Sequence, residues 1–150
     1  MGYLGIFGSQ DQRLITDKLS KIMWFSTTTE WFNYGIVKGS KAHTSLDTED
    51  IMILFYLFNY IAKKKELDVD WLQYPDIFAQ NVKWAIGWAG EQKESLIFKY
   101  RPSEETKDAY KEFNNARWQY KMNLHYGDNG NTDKEYAAMI KKFEDLFELL

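Results

Sequence analysis

The sequence predicts an all-α protein: a compact single domain, residues 1–150, of about six helices around a central apolar helix at residues 48–65. Three observations carry this. Helix N-cap signals recur along the chain, each opens an apolar pattern of helical period, and the run Ile51 to Phe58 contains no strongly polar residue.

The elements follow in order. Ser9 with Gln12 fits a capping box, in which a hydroxyl and a Glu or Gln satisfy otherwise free N–H groups reciprocally. Leu14, Ile15, Leu19, Ile22 and Met23 then mark one apolar face. Thr27 with Glu30 repeats the signal and predicts a short helix from Thr29 to Lys38, with Gly39 as its left-handed C′ residue. Asp47 caps the central helix. Its acidic start (Asp47, Glu49, Asp50) and basic end (Lys63, Lys64, Lys65) both match the helix macrodipole. Around Pro75, Asp76 is the N-cap candidate for a helix through Trp84 and Trp88 that is expected to stop at Gly90. Ser95 to Pro102 is the one stretch with strand character. Ser103 opens a long helix, about Glu104 to Tyr126, ended by Gly127. "GDNGN" turns the chain, and Thr132 with Glu135 starts a last helix through Tyr136, Met139, Ile140, Phe143, Leu146, Phe147 and Leu150.

A chain of 150 residues is the common size for one domain and buries roughly 68–70% of its unfolded surface. Aromatic residues make up 17%, a high share. Mean hydropathy is nonetheless −0.53, because Tyr and Trp score as polar although they carry large apolar bodies. With no cysteine, disulfides, thiolate metal sites and cysteine nucleophiles are excluded together. The opening "MGYLGIFGSQDQRLITDK" lacks a basic segment followed by a long apolar one, so no cleaved signal peptide is expected. Ile51 to Ala62 is far short of the ~20 residues of a bilayer span. The expected location is the cytoplasm, with no membrane partner. Net charge is −3, and Arg13, Arg101 and Arg117 are the only arginines, which is poor provision for phosphate or base-edge contacts.

"NYGIVKGSKAHTS" (33–45) invites comparison with a phosphate-binding loop, G-x-x-x-x-G-K-[ST]. The spacing fails. Gly35 and Gly39 are separated by three residues, Ser40 stands where lysine belongs, and Ala42 follows Lys41 in place of a magnesium-binding hydroxyl. His43 and His125 are the only histidines and neither belongs to a metal-ligand helix pattern, so no metal is expected. No G-x-S-x-G elbow is present.

Two carboxylate pairs, Glu91-x-x-Glu94 and Glu105-x-x-Asp108, are the catalytic alternative. They resemble part of the E-x-x-E…E-x-x-D arrangement of all-α nucleotide pyrophosphohydrolases of the MazG and dimeric dUTPase kind. That resemblance implies Mg²⁺ held on a nucleoside triphosphate by oxygen ligands. A second alternative is nucleic-acid association through Lys63 to Lys65 with Lys141 and Lys142.

On the long helix, Ala109, Phe113, Ala116, Tyr120 and Leu124 form one apolar stripe. Tyr110, Trp118, Met122 and Tyr126 form another, displaced by more than a quarter turn. With one stripe facing inward and the other outward, the second is the candidate partner-binding surface; the alternative is a central helix with both stripes buried. The expected function is therefore non-catalytic and without cofactor: a helical protein that binds another protein or itself. Small, lysine-rich, cysteine-free, weakly acidic chains of this kind are frequent among bacterial and phage accessory factors such as inhibitors, immunity and counter-defence proteins.

Overall fold

A computed structural model describes residues 9–34, 37–127 and 132–150, with residues 31–34 and 37–40 described in backbone only. The fold is mostly helical. Five α-helices, one 3₁₀ turn and one two-stranded antiparallel sheet occur among the described residues. The chain falls into two compact units, Met1–Tyr100 and Arg101–Leu150.

In the first unit, α1 (Gln10–Ser26) begins at Ser9, whose hydroxyl accepts the Gln12 N–H at 3.2 Å. The expected helix from Thr29 to Lys38 is instead a hairpin of β1 (Thr27–Tyr34) and β2 (Val37–Thr44), which brings the α-helix count to five. Three successive β-branched threonines, then Trp31 and Phe32, favour the extended chain over the helix that the Thr27 and Glu30 spacing suggested. Thr27 is the C-cap of α1 as well as the first strand residue, and Gly39 pairs with Phe32 rather than ending a helix. Ser45 N–H donates to Ser26 O at 2.9 Å and continues the ladder beyond Thr27 and Thr44.

α2 (Thr48–Lys64) opens with a full capping box built from two aspartates. Asp47 accepts the Asp50 N–H at 2.9 Å, and Asp50 accepts the Asp47 N–H at 3.0 Å. Ile53, Leu54, Phe55, Leu57, Phe58, Ile61 and Ala62 are buried. Although Ile51 to Phe58 has no strongly polar residue, the helix is not covered all round: Tyr56 and Tyr60, four residues apart, form an exposed stripe. α2 ends in a Schellman motif, with Leu67 N–H on Ala62 O (2.8 Å), Glu66 N–H on Lys63 O (3.3 Å) and Glu66 at φ 54°.

After a 3₁₀ turn (Asp70–Gln73), α3 (Pro75–Glu94) starts with Pro75 in its first turn. Tyr74 is the N-cap, with Asp76 inside the helix. α3 packs against α1, both strands, α2 and the 3₁₀ turn, so it is the element that the others share. Small residues permit this. A Cβ on Gly90 would lie 2.8 Å from Ala42 Cβ, so α3 and β2 approach closely there. Gly90 is therefore a buried interior residue and the helix runs on to Glu94, beyond the expected stop. The Phe78 ring meets Phe55, Phe58 and Trp71 at 5.5, 5.9 and 6.2 Å. The strand expected within Ser95 to Pro102 is absent; the segment is irregular.

The second unit is an antiparallel helix pair. In α4 (Glu104–Tyr126), Ser103 accepts the Thr106 N–H at 3.1 Å as N-cap. Its partner is α5 (Thr132–Leu149). Cross-contacts run in opposite order along the two: Thr106 with Leu149, Glu112 with Lys142, Phe113 with Phe143 and Tyr120 with Tyr136. Met139, Phe143, Leu146 and Phe147 are buried on α5, at the spacing of one helix face.

Candidate interaction surface

α4 buries Thr106, Phe113, Arg117 and Lys121. Three members of the second predicted stripe lie away from that face. Trp118, Met122 and Tyr126, each four residues from the next, are 50%, 36% and 82% exposed. Tyr110 differs. It is half-buried with its ring 6.2 Å from Phe113, which places it beside the covered face. The strip is thus shorter than expected and occupies the C-terminal half of α4. Of the other stripe, Phe113 is buried, Ala109, Ala116 and Tyr120 are half-buried, and Leu124 is exposed in the last turn.

A second exposed apolar feature was missed because Ser95 to Pro102 reads as a strand. Leu96, Ile97 and Phe98 are 96%, 78% and 79% exposed. Ser95 holds their turn: its Oγ accepts the N–H of Ile97 at 3.2 Å and of Phe98 at 2.9 Å. Tyr100 N–H donates to Gln92 Oε1 at 2.7 Å, and the Tyr100 ring packs edge-on to Trp24 at 5.4 Å and near Trp88 at 6.2 Å. Serine at a helix end before unalternating apolar residues was the available signal.

Two lysines attend this aromatic cluster. Lys93 lies 4.8 Å from the Trp24 ring and donates to Thr27 O, while Lys21 lies 5.6 Å from the Tyr100 ring and pairs with Asp17. Burial pushes the Lys93 ammonium below the ordinary lysine value, against the pull of the ring face and the carbonyl. Burial first, and then the Asp17 charge, push the Tyr100 phenol above its ordinary value.

The carboxylate pairs are distributed between the units. Glu91 and Glu94 share the last turn of α3, and Glu105 and Asp108 share the first turns of α4. Among the described residues, no group of three or more His, Cys, Asp or Glu side chains is placed to hold a metal ion. His43 sits on β2 with Nε2 3.5 Å from Glu30 Oε2, and His125 is exposed at the end of α4. Lys63, Lys64 and Lys65 surround the end of α2, with Lys64 5.9 Å from the Tyr60 ring. Lys141 pairs with Asp145 at 3.1 Å and Lys142 with Glu112 at 2.7 Å, so both members of that basic pair have acidic neighbours. The Glu112 hydrogen bond and charge raise the Lys142 value. No described helix is long and apolar enough to cross a membrane. No protein family, curated protein or solved structure matches the chain.

Proposed function

We propose that the chain is a non-catalytic protein that acts by binding another protein, through the strip formed by Trp118, Met122 and Tyr126. The exposure of these three side chains on one side of α4, while the helix buries a different face, is the observation that carries the reading. Trp, Tyr and Met are the residue types enriched at protein interfaces, and an aromatic ring left in water gains most from being covered. A cytoplasmic accessory role of the inhibitor or immunity kind belongs to the same reading.

Trp118→Ala is the test. Because half of the side chain already meets water, the substitution is expected to cost less than about 1 kcal/mol in a denaturant melt, not the ~3–5 kcal/mol of a core tryptophan. Wild-type and variant proteins would be immobilised side by side against lysate of the source organism, with sedimentation velocity to detect self-association. The expected result is a stoichiometric band, or a self-associated species, that the variant loses. Identical behaviour of the two proteins at equal stability would remove the strip as an interface.

A further inference from the structure

The turn after α3 lies outside the α4 strip and differs from it in chemistry. We propose that Leu96, Ile97 and Phe98 insert into the surface of a phospholipid bilayer, as a peripheral contact driven by apolar burial.

Three observations support this occupant. Three consecutive apolar side chains stand in water, with nearly all of the Leu96 surface exposed. A membrane surface receives such a run without a preformed pocket. Next, the N–H groups of Ile97, Phe98 and Tyr100 are already bonded, to Ser95 Oγ and Gln92 Oε1. A segment entering hydrocarbon must satisfy its polar backbone internally, and this turn enters with those three donors occupied. Third, the base of the turn is built from Trp24, Trp88 and Tyr100. Trp88 and Tyr100 are half-buried, and such rings settle at the headgroup level because each has an apolar body and a polar tip, whereas the Trp24 indole N–H is buried. The run itself is Leu, Ile and Phe, apolar side chains of the kind that face lipid in interfacial anchors. Formal charge near the turn is only +1, with Lys21, Lys93, Lys99 and Arg101 against Asp17, Glu91 and Glu94. A zwitterionic surface is therefore sufficient. The expectation of no membrane partner rested on the length of a span, and a peripheral contact needs none.

The experiment is co-sedimentation of the full chain with vesicles of phosphatidylcholine, and of phosphatidylcholine with phosphatidylserine, at low and high salt. The wild-type protein is expected to bind both vesicle types, with little change on adding salt. Leu96→Ser and Phe98→Ser are each expected to lower the partition coefficient about tenfold, with the circular dichroism spectrum unchanged. Phe98→Trp is expected to keep binding and, measured as the difference from the wild type with its six tryptophans, to add emission that moves to shorter wavelength on vesicles. A wild-type protein left in the supernatant overturns the proposal. So does binding confined to phosphatidylserine and abolished by salt, or serine variants that bind as well as the wild type. Loss of a captured protein partner in the serine variants, without vesicle binding, would make the turn a protein contact.

Discussion

Two glycines three residues apart on α3 meet opposite surroundings. A Cβ at Gly87 would have nothing within 4 Å, whereas one at Gly90 would press on Ala42 Cβ at 2.8 Å. Gly87→Ala is expected to stabilise the protein by about 0.5–1 kcal/mol, since alanine loses less backbone freedom in a helix. Gly90→Ala gains the same propensity but forces α3 and β2 apart, for a net loss of about 1–2 kcal/mol. Urea melts of the two variants check the signs, and equal signs would mean that the close approach at Ala42 is not a constraint. Glu66 is a third position of this kind. Its φ of 54° is left-handed backbone, costly for a residue with a Cβ, and the Schellman bonds from Glu66 and Leu67 hold it there. Glu66→Gly is expected to stabilise by about 0.5–1 kcal/mol, after subtracting the extra freedom glycine has in the unfolded chain. A melt showing no gain would place the strain elsewhere.

At the scale of elements, the cluster of Trp24, Trp88 and Tyr100 ties α1 and α3 to the turn that follows, and its stability responds to alkali. Tyr100 holds its proton more tightly in the folded protein than in the unfolded chain. Its contribution is therefore intact below the ordinary tyrosine value of about 10 and declines as pH rises through it, because the folded state then binds more protons. Lys93 runs the other way: with its folded value depressed, its charged form opposes folding until the ammonium loses its proton. Tyr100→Phe keeps the ring, so stability near pH 8 is expected to fall by no more than about 1 kcal/mol, and the decline above pH 10 is expected to be shallower than in the wild type. Guanidinium melts across the alkaline range measure this, and parallel declines would exclude the phenol. Much of this architecture was legible. The caps at Ser9, Asp47 and Ser103 stand where hydroxyl and carboxylate spacing put them, because a cap is a local bond between near neighbours. The hairpin was not, since the Thr27 and Glu30 spacing fits a capping box as well as a strand, and the contacts that favour the strand come from α3, far along the chain. The strip on α4 was half legible. Spacing put Trp118, Met122 and Tyr126 on one stripe, but whether such a stripe meets water depends on packing that periodicity does not encode.

The molecule as a whole is two compact units joined in sequence through the irregular segment 95–103. Its middle is held by the local bonds of the Ser95 turn and of Tyr100 to Gln92, and Leu96, Ile97 and Phe98 are exposed rather than packed, so this segment opens at lower free energy than the helices on either side. Proteases cut where about this length of chain can leave its native conformation, and exposed loops between compact units are preferred. Lys99 is exposed within the segment, and Arg101, the next basic residue, is followed by Pro102, a bond that trypsin avoids. Trypsin at low ratio is therefore expected to cleave after Lys99 first, giving fragments 1–99 and 100–150 before any cut inside a helix. The smaller fragment is near the lower limit at which a chain without disulfide or metal folds alone. Once separated by gel filtration, it is expected to show weak, broadly melting helicity by circular dichroism, while fragment 1–99, which keeps α1, the hairpin, α2 and α3, retains a cooperative transition. Mass spectrometry of the first products decides between the two arrangements. Initial cuts at Lys63 to Lys65, or within α4, would show that the chain opens elsewhere before it opens at the 95–103 segment.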